Sequence, residues 1–162
     1  MPETVVYIDG GSRGNPGTAG IGVIIQHPTG HRVEISEWIG ASDNNYAEYA
    51  ALLAALKYAA ANECTRLRVF SDSEVVVRQI NGHYSCQSPL LRQIYQVCIA
   101  LIESFEGFTI SHIRREHNRE ADRLVRTAIE RAKRERRRRE RQQQKDEDED
   151  RQSAVLQTSF AT

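Results

Sequence analysis

Residues 5–25 read VVYIDGGSRGNPGTAGIGVII, and this stretch decides the expected fold. Residues 5–8 are β-branched or aromatic, which is typical of a buried strand, and the run ends at Asp9. Residues 10–20 hold five glycines and one proline, so we expect a turn-rich loop there. The stretch therefore predicts a strand that ends in an acidic residue beside an irregular segment.

The chain up to residue 132 alternates between strand and helix patterns. Residues 46–61 carry alanine and leucine at helical spacing, and Asn44 or Asn45 is expected to cap this helix. The other expected elements are strands over 20–26, 32–39, 66–70 and 108–113 and helices over 72–80, over 89–105 and after Asn118. The order βββαβααβα predicts an α/β fold, in which three antiparallel strands and two parallel ones form a mixed five-stranded sheet flanked by helices.

Charge divides the chain into two parts, although 22 basic residues balance 22 acidic ones overall. Residues 1–129 hold 12 basic and 14 acidic residues, whereas 131–145 hold nine basic and two acidic ones and 146–150 are all acidic. We therefore predict a domain over 1–132 and a charged, flexible C-terminal tail over 133–162. The tail either continues the last helix and frays, or contacts phosphate groups through its arginines.

Several protein classes are not expected from this composition. No apolar run reaches the length of a membrane span, and the start, MPETVVYIDGG, lacks the basic and apolar regions of a secretory signal. The three cysteines are an odd number without a CxxC pair, which argues against a disulfide scaffold or a structural zinc site. We therefore expect a cytoplasmic protein with no membrane partner.

Four acidic residues are predicted to converge at one end of the sheet. Asp9 and Asp72 each follow a strand, while Glu48 and Asp122 lie on or near the inward faces of two helices. Each acid alone has an ordinary explanation as a turn residue, a cap or a solvated side chain. Together they would repel one another, and oxygen-preferring Mg²⁺ ions would relieve that repulsion. Two such ions at a phosphodiester can activate water and stabilise the leaving oxygen.

Four separated motifs in this chain together resemble the type 1 ribonuclease H family. The resemblance is to the short form common in bacteria and archaea, which is related to the ribonuclease H domain of reverse transcriptases, and it covers roughly residues 3–132. It implies endonucleolytic cleavage of the RNA strand of RNA/DNA hybrids, leaving 5′-phosphate and 3′-hydroxyl ends. The motifs are YIDGGSRGNPGTAGIGVII, NNYAEYAALLAALKYA, FSDSEVVVRQING and REHNREADRLVRTA.

The family resemblance also implies specific roles for residues of this chain. Catalysis would depend on two Mg²⁺ or Mn²⁺ ions, with Asp9 and Asp72 between them and Glu48 and Asp122 each supporting one. The hybrid would be contacted in its minor groove, where the 2′-hydroxyls distinguish RNA from DNA. The residues implied in hybrid binding are Gly11, Ser12, Asn15, Asn44 and Asn45.

Two features depart from the longer members of the family. The basic, tryptophan-containing protrusion between two helices is replaced by a direct connection over residues 82–89, and the histidine loop is reduced to His117, five residues before Asp122. His117 is a candidate for helping product release. Two alternatives stay open: a nuclease of the same fold with another nucleic-acid substrate, and a hybrid- or RNA-binding module with weak or no catalysis. The oligomeric state is not determined, with a monomer as the default.

Overall fold

The computed structural model describes residues 2–14 and 16–161, and its contacts divide the chain into two units, Met1–Ile129 and Glu130–Thr162. All five strands belong to the first unit. The strands are β1 (Thr4–Gly14), β2 (Gly17–Gln26), β3 (Arg32–Ser42), β4 (Arg66–Ser71) and β5 (Gly107–His112). The helices are α1 (Asn44–Ala61), α2 (Glu74–Ile80), α3 (Pro89–Glu103), a 3₁₀ turn (Arg115–His117) and α4 (Arg119–Phe160).

The five strands form one mixed sheet in the order β3-β2-β1-β4-β5. β1, β2 and β3 pair in antiparallel fashion, and β4 is parallel to both β1 and β5. The connection from β2 to β3 is the expected turn, in which Gly30 has a φ of 90° and its N–H donates to the His27 carbonyl at 2.9 Å. The predicted fold class and order of elements along the chain are therefore confirmed.

Alternate residues of β1 contribute to apolar clusters on opposite faces of the sheet. Val6 and Ile8 are fully buried in a cluster with α1, whose contributing side chains include Tyr49 and Leu52. Tyr7, which lies between them, packs against a smaller cluster of Ile24, Ala121 and Leu124. β1 is therefore packed on both faces, against α1 on one side and against the first turns of α4 on the other.

The prediction of an irregular loop over residues 10–20 was wrong. β1 continues to Gly14 and β2 begins at Gly17, so the glycines lie in a long antiparallel hairpin. At some of these positions, and at Gly22 just beyond them, the absent side chain makes room for a helix. A Cβ on Gly10 would stand 2.2 Å from the carbonyl carbon and oxygen of Ala47, and one on Gly22 would stand 2.2 Å from the Ala121 oxygen. The glycines therefore serve two purposes: Gly10 and Gly22 let helices pack closely on the strands, whereas Gly14, with a φ of 100°, and Gly17 lie at the turn of the hairpin.

The predicted cap of α1 was also wrong. Asp43, not Asn44 or Asn45, caps the helix, because its side chain accepts a hydrogen bond from the Tyr46 N–H at 2.7 Å. Asn44 is the first residue of the helix, and its Oδ1 accepts the Ser12 N–H at 2.9 Å. This hydrogen bond ties the start of α1 to β1.

The last helix extends well beyond the expected domain. The sequence allowed it to continue for several turns past Ala132, and α4 reaches Phe160. The flexibility of the tail and the boundary between residues 132 and 133 stay predictions. None of the described helices has an apolar stretch that could cross a lipid bilayer.

The fit of α1 against β1 predicts a difference between two neighbouring glycine substitutions. Gly10→Ala should lower the free energy of unfolding by roughly 1–3 kcal/mol or more, because the new methyl group overlaps the Ala47 backbone. Gly11→Ala is the matched control, since its Cβ would meet only Val125 Cγ1 at an ordinary 3.5 Å. Urea unfolding of the two variants measures this, and equal stabilities would contradict the close approach.

Candidate active site

The carboxyl ends of β1 and β4 bring two aspartates to the same edge of the sheet. The strands are parallel, with Ile8 beside Ser71. Asp9 follows Ile8 and Asp72 follows Ser71, so the two carboxyl groups lie side by side. This is the sheet edge at which open α/β folds place their binding sites.

Glu48 reaches the same edge from α1. It lies in the second turn of the helix, with its side chain directed inward so that only 8% of the residue is exposed. The lack of a side chain at Gly10 allows this approach, because a Cβ there would stand 2.5 Å from the Glu48 nitrogen. The helix thus delivers its acidic side chain to the end of β1.

Asp9, Glu48 and Asp72 form a compact carboxylate cluster. One oxygen from each lies within 4.8 Å of the others. The cluster lines a cavity of about 610 Å³. Asp122 lines the same cavity from α4 but lies outside that 4.8 Å group, and its carboxylate pairs with Arg126 at 3.2 Å. The structure therefore gathers three of the predicted acids tightly and places the fourth on the cavity wall.

Burial raises the pKa values of all three clustered acids. The pKa of Asp9 rises from 3.8 to about 7, first because the side chain is desolvated and then because Asp72 is close. Desolvation also raises the pKa of Glu48 well above its ordinary value, with further contributions from Asp9 and Asp72. The side-chain hydrogen bond between Asp9 and Glu48 lowers the pKa of Asp9 and raises the pKa of Glu48. Desolvation raises the pKa of Asp72 as well.

The donor atoms of this cluster fit a divalent cation. Glu48 Oε2 is buried and, among the described residues, has no hydrogen-bond partner. An unpartnered buried carboxylate oxygen is costly unless a proton or a cation compensates its charge. Carboxylate oxygens are the ligands that Mg²⁺ and Mn²⁺ prefer. Asp9, Glu48 and Asp72 are thus the residues that would hold a metal ion.

Two further residues of this site were missed as functional candidates. Asn118, predicted only as a helix cap, is 2% exposed, and its Nδ2 donates to the Ile8 carbonyl at 2.9 Å and to Asp72 Oδ2 at 3.3 Å. Arg115 lines the cavity, and its positive charge lowers the pKa of Asp72 against the effect of burial. Both lie in the motif RREHN, whose polar density just before a helix was the available signal.

Most of the residues predicted to bind a hybrid lie around the same cavity. Gly11, Asn44 and Asn45 line it, and Ser12 is joined to Asn44 through its N–H at 2.9 Å and its Oγ at 3.1 Å. Asn15 lies outside the described residues. The end of β1 and the start of α1 therefore form one continuous polar surface beside the acids.

His117 lies in a different place from the acidic cluster. It is an exposed residue at the end of the 3₁₀ turn, and it lines a separate cavity of about 280 Å³ together with Tyr7 and Ile24. It is not among the residues that line the acidic cavity. Its suggested part in product release stays a prediction.

Comparison with known proteins places the chain in a family. A family model described as reverse transcriptase-like matches residues 7–128. Ribonuclease HI of Halobacterium salinarum is 37% identical over 127 residues, which are 78% of this chain and 64% of that protein. A bifunctional protein of Mycobacterium tuberculosis is 37% identical over 133 residues, which are 80% of this chain and 36% of that protein.

Solved structures agree with these sequence matches. The structure of LC11-RNase H1 in complex with an RNA/DNA hybrid has a TM-score of 0.75 and 38% identity, covering 80% of this chain and 98% of that one. This chain thus spans about a third of the mycobacterial protein and just under two thirds of the halobacterial one. By motif, by sequence relatives and by fold, the chain belongs to the type 1 ribonuclease H family.

Proposed function

We propose that this chain cleaves the RNA strand of RNA/DNA hybrids endonucleolytically, in a reaction that depends on Mg²⁺ or Mn²⁺ and leaves 5′-phosphate and 3′-hydroxyl ends. The observation that carries the proposal is the cluster of buried Asp9, buried Glu48 and half-buried Asp72 in an open cavity. The complex of LC11-RNase H1 with an RNA/DNA hybrid supports the choice of substrate.

The proposed mechanism assigns the four acids to metal binding. Asp9, Glu48, Asp72 and Asp122 would hold two ions, which supply an activated water and stabilise the leaving oxygen when bound. The chain contributes a fixed arrangement of these carboxylates. Asn118 holds Asp72 in place through the 3.3 Å hydrogen bond, and Asp122 keeps its position on α4 beside Arg126.

The polar surface beside the acids is the proposed hybrid-binding site. Ser12 and Asn44 are held together by two hydrogen bonds, so both are positioned before the substrate arrives. Gly11 leaves space for close approach of a nucleic-acid backbone, and Asn45 offers amide groups to a minor groove. By the family resemblance, Asn15 belongs to the same site.

The connection between α2 and α3 bears on how tightly the chain would bind the hybrid. Residues 81–88, NGHYSCQS, contain no lysine or arginine. Phosphate contacts from basic residues supply much of the affinity of nucleic-acid-binding proteins. A low intrinsic affinity for the hybrid would therefore accompany the proposed activity.

The three free cysteines, all buried, support a reducing compartment such as the cytoplasm as the site of action.

We expect Asp72→Asn to reduce hybrid cleavage by a factor on the order of 10²–10³, the loss typical for removing one electrostatic group from an active site. The assay measures cleavage of a labelled RNA/DNA hybrid with Mg²⁺ or Mn²⁺. Duplex RNA, single-stranded RNA and duplex DNA are tested separately as control substrates. Glu103→Gln, at an exposed position outside the cavity, is the matched control and should retain activity. Hybrid binding without cleavage by the wild type would instead support the binding module.

The raised pKa of Asp9 predicts how stability changes with pH when divalent metal is absent. Between pH 4 and about 7 the folded protein binds more protons at Asp9 than the unfolded chain does, so the free energy of unfolding should fall as pH rises through this range. Asp9→Asn should remove part of this slope, because an amide does not titrate.

Urea unfolding in the presence of a chelator, from pH 4 to pH 8, measures this slope in both proteins. Adding Mg²⁺ or Mn²⁺ near pH 8 should restore stability to the wild type, because the cation binds the deprotonated acids. Identical pH slopes for the wild type and Asp9→Asn would contradict the assignment.

A further inference from the structure

The part of α4 in the second unit carries a row of basic residues along one side. Its members are spaced three, four, three and four residues apart, so they stay within a sector of about 80° over a length of about 21 Å. The buried residues of α4, which lie between Ala121 and Ile129, are centred about 130° away around the helix, so the row does not continue the buried face. All members of the row are exposed. We call these five residues the basic stripe: Arg131, Arg134, Arg138, Arg141 and Lys145.

No acidic residue interrupts the basic stripe. Between residues 131 and 145 the acids are Glu135 and Glu140, and both lie at least about 40° outside the sector that the stripe occupies. Glu140 pairs with Arg136, on another side of the helix, at 3.1 Å. Among the residues that the structure describes, no ion pair is recorded for any member of the stripe. The stripe therefore presents positive charge that the helix itself does not neutralise.

Three glutamines separate the basic stripe from the acidic run over residues 146–150. Because residues 142–144 are all glutamine, no acid of that run lies three or four positions from an arginine of the stripe, the separation at which side chains pair along a helix. Each glutamine instead donates a hydrogen bond to the acid four residues ahead, at 2.8 Å for Gln142 and 3.1 Å for Gln143 and Gln144. The acidic run thus leaves the arginines unpaired and marks the end of the stripe.

The composition of this segment selects the kind of partner. Residues 133–153 contain no apolar residue, whereas the buried centre of a protein–protein interface is apolar. Interfaces with nucleic acids are more polar and much more positively charged. A duplex carries roughly 12 phosphate charges in a length of about 21 Å, so five exposed cations along the same length would all find partners.

We propose that the basic stripe binds the phosphate backbone of a nucleic-acid duplex, and that this duplex is the RNA/DNA hybrid, a choice that rests on the proposed function. Contacts to the backbone do not depend on the base sequence. They would supply affinity that the connection over residues 81–88 lacks, because that connection holds no lysine or arginine. Repulsion from the acids at 146–150 confines the contact to residues 131–145.

Removing charge from the basic stripe in the full chain should weaken hybrid binding. The triple variant Arg134→Gln, Arg138→Gln and Arg141→Gln keeps good helix formers at all three positions. We expect its affinity for a labelled hybrid at roughly 100 mM NaCl to fall at least about tenfold, and the slope of log affinity against log salt concentration to become shallower by about 2–3. Fluorescence anisotropy measures both quantities, in the presence of a chelator that prevents metal-dependent cleavage.

A triple variant on the opposite side of the helix is the matched control. Lys133→Gln, Arg136→Gln and Arg139→Gln remove the same net charge, but their positions are centred about 180° from the basic stripe. This control should lose less than about threefold in affinity, and its salt slope should change by less than about 1. Circular dichroism checks that both variants keep the same helix content. Equal losses of affinity in the two variants would overturn the proposal, because net charge alone would then explain the binding.

The remaining outcomes separate this inference from the proposed function. Unchanged hybrid affinity in the stripe variant would overturn the inference, even if the wild type cleaves the hybrid. A wild type that binds the hybrid through the basic stripe, but does not cleave it, would support the inference and contradict the proposed function. Unchanged hybrid affinity together with lost binding of polyglutamate would replace nucleic acid with an acidic polypeptide as the partner.

Discussion

The close approach of α1 to β1 at Gly10 is the constraint on which the site depends. Any side chain at Gly10 would overlap the backbone of Ala47, so glycine is what allows the helix to lie so near the strand. This contact places the second turn of α1, and with it Glu48, beside the carboxyl end of β1. The hydrogen bonds from Ser12 to Asn44 hold the start of the same helix to the same strand. The packing of α1 on β1 and the position of Glu48 in the acidic cluster therefore depend on one contact, between the backbones at Gly10 and Ala47.

That contact helps to bring three acidic side chains close together, where their negative charges repel one another. One oxygen from each of three carboxyl groups lies within 4.8 Å of the others, and two of the three residues are buried. Their pKa values are raised, first because burial removes the charged groups from water. Arg115 and the Asn118 amide offset part of the charge of Asp72. Glu48 Oε2 remains without a partner among the described residues. A bound divalent cation would stabilise such a cluster of deprotonated acids, which is the physical basis of the proposed function.

Local patterns in the sequence predicted much of this architecture, but contacts between distant segments were harder to foresee. The positions of Asp9 and Asp72 after two apolar runs follow from the sequence, although β1 continues past Asp9 to Gly14. The presence of parallel strands follows from the order of elements. The roles of Gly10 and Gly22 did not follow, because the atoms that exclude a side chain there lie in α1 and α4 rather than in neighbouring residues of the strand. Asn118 was assigned to a cap for the same reason: its partner, the Ile8 carbonyl, is 110 residues away. Asp43 rather than Asn44 caps α1, and Asn44 instead accepts a hydrogen bond from Ser12, 32 residues away, a contact that exists only in the folded chain.

The most direct test of the account is to locate a bound cation. Crystals of the protein grown with Mn²⁺ would show its position by anomalous scattering, independently of any activity. The account predicts an anomalous peak among the carboxylates of Asp9, Glu48 and Asp72, and its loss in Asp9→Asn crystals grown under the same conditions. Ordered crystals in which these carboxylates remain protonated and hydrogen-bonded to one another, with no anomalous peak between them at saturating Mn²⁺, would contradict it.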